Sequence, residues 1–271
     1  MTSAGPTGSP AGLSADLALA LTLADAADAV TLPRFRASDL RVERKPDRTP
    51  VTDADTACED RLRALLATHR PDDAVLGEER GGSLGAGRVW VLDPIDGTKN
   101  FSRGVPVWAS LVALVEDGRP VAGVVSAPAL GRRWWAAAGE GAHTRDPARG
   151  IEDGPVGVSG VADLADAYAS TTDLDHWRTL GRQEQWLALT RETWESRAFG
   201  DFWHHCLVAE GLLDLAVEPE ANTWDLAATQ ILVEEAGGRL TDLAGAARPD
   251  GGDSLTTNGH LHDAALALVR R

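Results

Sequence analysis

From Ser14 to about Ala29 apolar and acidic residues alternate at helical spacing, and Ser14 stands where an N-cap belongs. Arg41 to Asp47 predicts a strand ending in a polar turn at Lys45-Pro46-Asp47. Thr52 to His69 predicts a second helix whose first turns hold Asp53, Asp55 and Glu59, where carboxylates suit the helix dipole. Asp73 to Leu76 predicts a brief strand ending at Gly77-Glu78-Glu79. After the glycine-rich Gly81 to Gly87, the apolar run Val89-Trp90-Val91-Leu92 predicts a buried strand. It delivers Asp93 to its carboxyl end, and Pro94, which has no N–H for a ladder, is expected to stop it there.

Val107 to Val115 and Arg119 to Pro128 predict a hairpin turning at Glu116-Asp117-Gly118. Arg132 to Ala138 predicts a third strand with Trp134 and Trp135 on opposite faces. Thr144 to Pro155, charged and rich in Gly and Pro, is the expected boundary between two lobes. Beyond it the pattern predicts a strand at Ala167–Thr171, a helix over Leu174–Thr190, a strand at Trp194–Ala198 and a helix through Glu210. A strand at Asp214–Val217 follows, ending at Glu218, and then a helix from Trp224-Asp225 to Ala236, closed by Gly237-Gly238. This alternation argues for a layered α/β fold. Residues 1–12 read as a disordered tail, 13–145 as an N-terminal lobe and 146–271 as a C-terminal lobe, together one compact unit.

At 271 residues and 43% hydrophobic, the chain can bury a large core. A formal net charge of −15 disfavours nucleic acid as a partner. It repels small phosphate esters as well, unless metal ions reverse the potential locally. Two cysteines, Cys58 and Cys206, are too few for a disulfide framework and point to a reducing compartment. No apolar run approaches the roughly 18 residues of a membrane span, and Met1–Gly12 lacks the basic and apolar regions of a signal peptide. A soluble, cytoplasmic protein is expected.

Asp93 and Asp96 lie three residues apart at a strand end, where two carboxylates repel unless a cation sits between them. Gly97 lets backbone N–H groups approach an anion, at a point where a helix start would turn its positive end toward it. Thr98 adds a hydroxyl. The stretch reads as a metal-assisted phosphate site. Glu78 and Glu79, at the end of a preceding strand, can reach the same crevice. Asp225, at a helix start, reads alone as a cap, but beside an acidic cluster short of a ligand it reads as a metal ligand. His204 and His205 diverge by 100° on a helix and are not expected to face one ion, and His260 and His262 lack a ligand pattern. No nucleophile elbow, Walker A loop or dinucleotide fingerprint is present.

Asp93-Pro94-Ile95-Asp96-Gly97-Thr98 resembles the first signature of the inositol monophosphatase family. Val51-Thr52-Asp53-Ala54-Asp55, Gly77-Glu78-Glu79, and Trp224-Asp225-Leu226-Ala227-Ala228 with Glu235-Ala236-Gly237-Gly238 are similar to the family's other elements, in the same order. The resemblance spans about Ser14 to Val269 and implies an α-β-α-β-α sugar-phosphatase fold, a homodimer and two or three Mg²⁺ ions. It places one ion on Glu78, Asp93 and the Ile95 carbonyl, and a second on Asp93, Asp96 and Asp225. A third, weaker ion would be reached by Glu78 through water. The resemblance gives Asp55 and Thr98, with Glu78, the activation of the attacking water, and Gly97 and Thr98 the phosphate.

The family's substrate contacts fall on Gly200, Asp201, Phe202 and Glu218, with Arg197 just upstream. A carboxylate at Asp201 suits a positively charged substrate better than a bare polyol. Residues 96–108, 126–135 and Arg197-Ala198-Phe199-Gly200-Asp201-Phe202 look like the histidinol-phosphatase branch of actinobacteria, which implies hydrolysis of L-histidinol phosphate in histidine biosynthesis. The alternatives are an inositol-1-phosphate or related sugar-phosphate phosphatase, and a catalytically silent binder of such ligands. Trp108, Trp134 and Trp135 are expected in the core or a subunit contact, or beside the substrate's imidazole.

Overall fold

The computed structural model describes residues 14–46 and 49–270, so the Met1–Gly12 tail and Asp47 of the predicted turn lie outside the described residues. The chain opens with α1 (Ala15–Thr31), capped by Ser14, whose Oγ accepts from the Leu17 N–H at 3.2 Å. A short antiparallel ribbon follows, β1 (Val42–Arg44) and β2 (Pro50–Thr52), so the strand expected over Arg41–Asp47 shrinks to three residues. It leads into α2 (Asp53–His69), then β3 (Ala74–Gly77), β4 (Arg88–Asp96), the short α3 (Thr98–Arg103) and the hairpin β5 (Ala109–Glu116) and β6 (Arg119–Ala127). Next come β7 (Arg132–Ala137), β8 (Gly141–Asp146) and β9 (Ile151–Pro155). Strands β3 to β9 form one seven-stranded sheet in sequence order, antiparallel except for β3 beside β4.

The second half runs β10 (Tyr168–Ser170), α4 (Leu174–Thr179), α5 (Gln183–Glu192), β11 (Glu195–Arg197), α6 (Asp201–Ala209) and β12 (Leu215–Glu218). It ends with α7 (Thr223–Glu235), β13 (Arg239–Thr241), β14 (Ser254–Thr257) and α8 (His262–Val269). Its strands form a five-stranded mixed sheet in the order β11-β10-β12-β14-β13.

The pleat of β4 explains how the layers stack. Val89 and Val91 face α6 and α7, whereas Trp90 and Leu92 face α1 and α2, so the strand is apolar on both sides. Trp134 and Trp135 divide between the same two cores, as their adjacent positions on β7 require, and Trp108 packs with Phe35 and Phe101. None of the three lines either of the two cavities described below. Helix α7 is buried along most of its length between the two sheets, and α4, α5 and α8 cover the outer face of the second. The order is therefore α-β-α-β-α. At the contact between α7 and β6, Gly123 is required: an added Cβ would stand 2.6 Å from Ile231 Cγ2 and 2.9 Å from the Ala228 carbonyl oxygen.

Three expectations are corrected here. Pro94 does not end its strand: β4 continues to Asp96 through a register shift between Asp93 and Asp96, where the ladder makes no demand on a proline N–H. The Pro94 carbonyl accepts instead from Ser110 Oγ at 2.6 Å. The single helix expected over Leu174–Thr190 is two, broken where Gly181 adopts φ +69° and the Arg182 N–H turns back to the Trp177 carbonyl. Residues 146–155, set in the C-terminal lobe from sequence, finish β8 and supply β9 of the first sheet.

Candidate metal centre and substrate cleft

The carboxyl ends of β3 and β4 and the starts of α2, α3, α6 and α7 converge on one cleft. The pleat keeps Asp93 on the face of Val89 and Val91, buried against α7, and its Oδ1 accepts the Ile95 N–H at 3.0 Å. The bulge re-aims the chain so that Asp96 turns into the same space, where its Oδ2 accepts the Phe202 N–H. Asp225 comes from the first turn of α7. One carboxylate oxygen from each of Asp93, Asp96 and Asp225 lies within 4.8 Å of the others.

Two of the acidic groups are aimed by the same device. Asp225 is the third residue of its helix and its Oδ2 accepts the Asn222 N–H at 2.7 Å, one half of a capping box. Asp55 does the same in α2, accepting the Thr52 N–H at 2.8 Å and the Thr52 hydroxyl. Its other oxygen, Oδ1, lies 3.3 Å from Thr98 Oγ1, which also sits 2.9 Å from the Ile95 carbonyl oxygen. The capping role expected for Asp225 and its place in the acidic cluster are thus the same placement.

The electrostatics call for a cation. Burial, followed by the charges of Glu78, Asp96 and Asp225, pushes Asp93 well above the usual carboxylate range. Burial, with Asp201 and Asp225, does so for Asp96. Burial pushes Asp225 up to about 7, and Asp55 likewise to about 7 with help from Glu79 and Glu78. A buried set of oxygen donors that repel one another fits a hard divalent ion.

Glu78 stands at the rim, its Oε1 2.7 Å from Lys45 Nζ, which also holds Glu79 at 2.7 Å. The turn that carries it is pinned by buried Glu59, which accepts the Glu79 and Arg80 N–H groups. Gly97, at φ +83°, starts α3 in a conformation that a side chain would strain, and its missing Cβ would approach the Val107 carbonyl at 3.0 Å.

Two adjoining cavities open from this cluster. One, of about 440 Å³, is lined by Lys45, Glu78, Gly97, Thr98 and Asp201 among others. The second, of about 410 Å³, runs over Asp96 and Asp225 to Asp201, Glu218, His176 and His205. Asp201 stands between them at φ +49°, its N–H donated to Thr172 Oγ1 at 3.0 Å. Burial and the neighbouring Glu218 push its carboxyl up to about 6. Gly200, at φ +71°, lies against Thr172 and lets the chain turn into α6.

Two of the expected substrate contacts fall elsewhere. The Phe202 ring is core, packed on Trp134, and only its N–H reaches the cleft. Arg197 is exposed at the end of the edge strand β11, paired with Glu195 at 2.7 Å, and lines neither cavity. Its position three residues before the α6 turn at Gly200 gave no sign of this, because pairing on β10 is what fixes its direction. The sequence reading passed over Thr172, which binds both Asp201 and Glu218, and no local pattern marks it. His204 and His205 were expected to diverge, yet their Nε2 atoms lie 3.2 Å apart. The side chains converge beyond Cβ and the rings cross at 85°. His262, which lacked a ligand pattern, is buried and bridges Thr241 and Thr257 at 3.0 Å each.

A five-layered α/β chain with a buried carboxylate cluster at strand ends, beside N–H groups suited to an anion, defines a metal-site protein of the sugar-phosphatase architecture. The chain belongs to the inositol monophosphatase family, whose profile matches residues 13–270. It is 57% identical over 255 residues to the histidinol-phosphatase of Mycobacterium tuberculosis, covering 94% of this chain and 97% of that one. It is 51% identical over 260 residues to the histidinol-phosphatase of Streptomyces coelicolor, with the same coverage. An inositol monophosphatase structure from Zymomonas mobilis superposes with a TM-score of 0.82 at 32% identity, over 95% of this chain and 99% of that one.

Proposed function

We propose that the protein hydrolyses L-histidinol phosphate to L-histidinol and phosphate, using Mg²⁺ at the carboxylate cluster. The observation that carries the substrate choice is the second cavity, which joins the metal cluster to the acidic pair Asp201 and Glu218. An ammonium group finds opposite charge there, a polyol only neutral hydroxyl hydrogen bonds, and the second phosphate of a bisphosphate is repelled. Identity to the two histidinol-phosphatases supports the same choice.

Asp93, Asp96 and Asp225, with Glu78 and the Ile95 carbonyl, would hold two Mg²⁺ ions, and Glu78 would reach a third, weaker one through water. When bound, the ions supply positive charge to the attacking and leaving oxygens of an in-line displacement. The N–H groups of Gly97 and Thr98 hold phosphate oxygens at the start of α3. Thr98 Oγ1 accepts a hydrogen bond from the attacking water and passes its own proton toward Asp55 Oδ1. Burial raises the Asp55 carboxyl, which makes it a better proton acceptor than an exposed aspartate. The water oxygen forms its bond to phosphorus as the bond to the alcohol oxygen breaks, and that oxygen takes a proton from solvent. The proposal includes a homodimer acting in the cytoplasm. Buried, unpaired Cys58 and Cys206 suit a reducing compartment. No helix of the described residues is long and apolar enough to cross a membrane.

The test is phosphate release with Mg²⁺ from L-histidinol phosphate, inositol-1-phosphate and fructose-1,6-bisphosphate. A kcat/KM at least tenfold higher for L-histidinol phosphate is expected. A preference for inositol-1-phosphate would refute the substrate while keeping the metal chemistry, and no release from any ester would refute both.

A further inference from the structure

The floor of the second cavity carries a polar network that the chemistry above leaves unused. His204 and His205 are successive residues of α6 and both are buried. Besides meeting at Nε2, each imidazole has a hydroxyl at its other nitrogen: Ser170 Oγ lies 3.3 Å from His204 Nδ1, and Thr256 Oγ1 lies 2.8 Å from His205 Nδ1. Glu218 completes the set. Its Oε1 is 3.0 Å from His204 Nε2 and accepts the Thr172 hydroxyl. Of the two imidazoles it is His205 that lines the cavity, beside Glu218 and Asp201.

The protons in this network are too few for its acceptors. Burial keeps both imidazoles neutral, so each carries a single ring proton. A carboxylate only accepts, so the His204 proton belongs on Nε2, facing Glu218. His205 then keeps its proton on Nδ1 for Thr256 and presents a bare Nε2. His205 Nε2 then shares one N–H with Glu218 Oε1, which has the Thr172 hydroxyl as well. Without a ligand that shortfall stays in the network. A ligand that brings its own N–H donors meets it, because a buried acceptor left short costs more than a formed bond returns.

We propose that His205 is a specificity-determining residue: its Nε2 accepts the imidazole N–H of the leaving group, while Asp201 and Glu218 take the ammonium. A neutral acceptor suits a neutral N–H, and the carboxylates suit the charge. The proposal rests on L-histidinol phosphate as the substrate. It adds a residue outside the metal ligands that separates an azole-bearing alcohol from a polyol, with His204 as the positioning residue that fixes the His205 tautomer.

The experiment compares the Mg²⁺-loaded wild type with His205→Phe, which removes the acceptor, and His205→Gln, which retains one. The kcat/KM ratio of L-histidinol phosphate to inositol-1-phosphate is expected to fall at least tenfold in His205→Phe, through KM, and to recover in part in His205→Gln. An unchanged ratio, or an equal loss on both esters in both variants, overturns the role. Should His205→Phe fail to fold, the wild type gives the answer through ¹⁵N-histidine NMR. One unprotonated imidazole nitrogen is expected to shift on adding L-histidinol with phosphate, and not on adding inositol; no shift overturns the role. A wild type that hydrolyses inositol-1-phosphate but not L-histidinol phosphate overturns the substrate and this role together. A wild type that prefers L-histidinol phosphate beside a His205→Phe of unchanged ratio overturns this role alone.

Discussion

Replacing Asp55 by asparagine sets function against stability, and the structure gives the size of both effects. Asp55 has no exposed surface and its carboxyl is pushed by burial from 3.8 to about 7. An acid raised in the folded state opposes folding as pH climbs. The effect is absent below about 4, where folded and unfolded chains are both protonated, grows between 4 and 7, and is complete above 7. At full size it is roughly 4 kcal/mol. Asparagine removes this cost but weakens the capping box at the start of α2 by about 1 kcal/mol. The metal-free Asp55→Asn protein should therefore be more stable than wild type by about 3 kcal/mol at pH 8, or about 6–12 °C in Tm, and slightly less stable at pH 4. Turnover with Mg²⁺ should fall by roughly 10²–10⁴, the usual worth of a proton acceptor. Thermal melts in chelator at the two pH values, with phosphate release at saturating Mg²⁺, check both sides. A variant less stable than wild type at pH 8 would refute the electrostatic cost, and one that keeps more than a third of the activity would show that Asp55 is a cap and no proton acceptor.

Asp93→Asn removes the carboxylate that faces Asp96 and Asp225. It should abolish turnover and weaken Mg²⁺ binding at least a hundredfold by calorimetry while the metal-free fold persists; near-normal activity would undo the metal assignment. Gly123→Ala should destabilise by about 1–3 kcal/mol in urea with an unchanged m value, because its methyl meets Ile231 and the α7 backbone. A neutral result there would mean that α7 can lift away from β6.

The acidic cluster was legible in sequence because Asp93 and Asp96 share one short stretch and a strand end fixes where they point. Asp225 was legible only in company with them, since its own spacing speaks for a cap. Pro94 misled because a missing N–H was equated with an end, when a bulge accommodates it inside the strand. Gly181 was the visible signal that Leu174–Thr190 could not be one helix, and it was outweighed by apolar spacing on either side. Residues 146–155 read as a linker because strands at a sheet's end carry polar, glycine-rich sequence. Arg197, Thr172 and the meeting of His204 with His205 depend on how β10, β11, β12 and α6 are set against one another, and spacing along the chain does not carry that.

The placement of α7 has a consequence for how the chain is made. The seven-stranded sheet is complete at Pro155, yet the apolar face formed by Val89, Val91, Val125 and Trp134 is covered by α6 and α7, which end near residue 235. About 80 residues must therefore leave the ribosome before the first sheet can close its second core, roughly 4–16 s at ordinary rates of synthesis. Throughout that interval the nascent protein shows an adhesive sheet face to the cell, and a chaperone has its best opportunity there. Slow codons between β9 and α7 would lengthen the exposure, and the yield of soluble protein is where that delay would register.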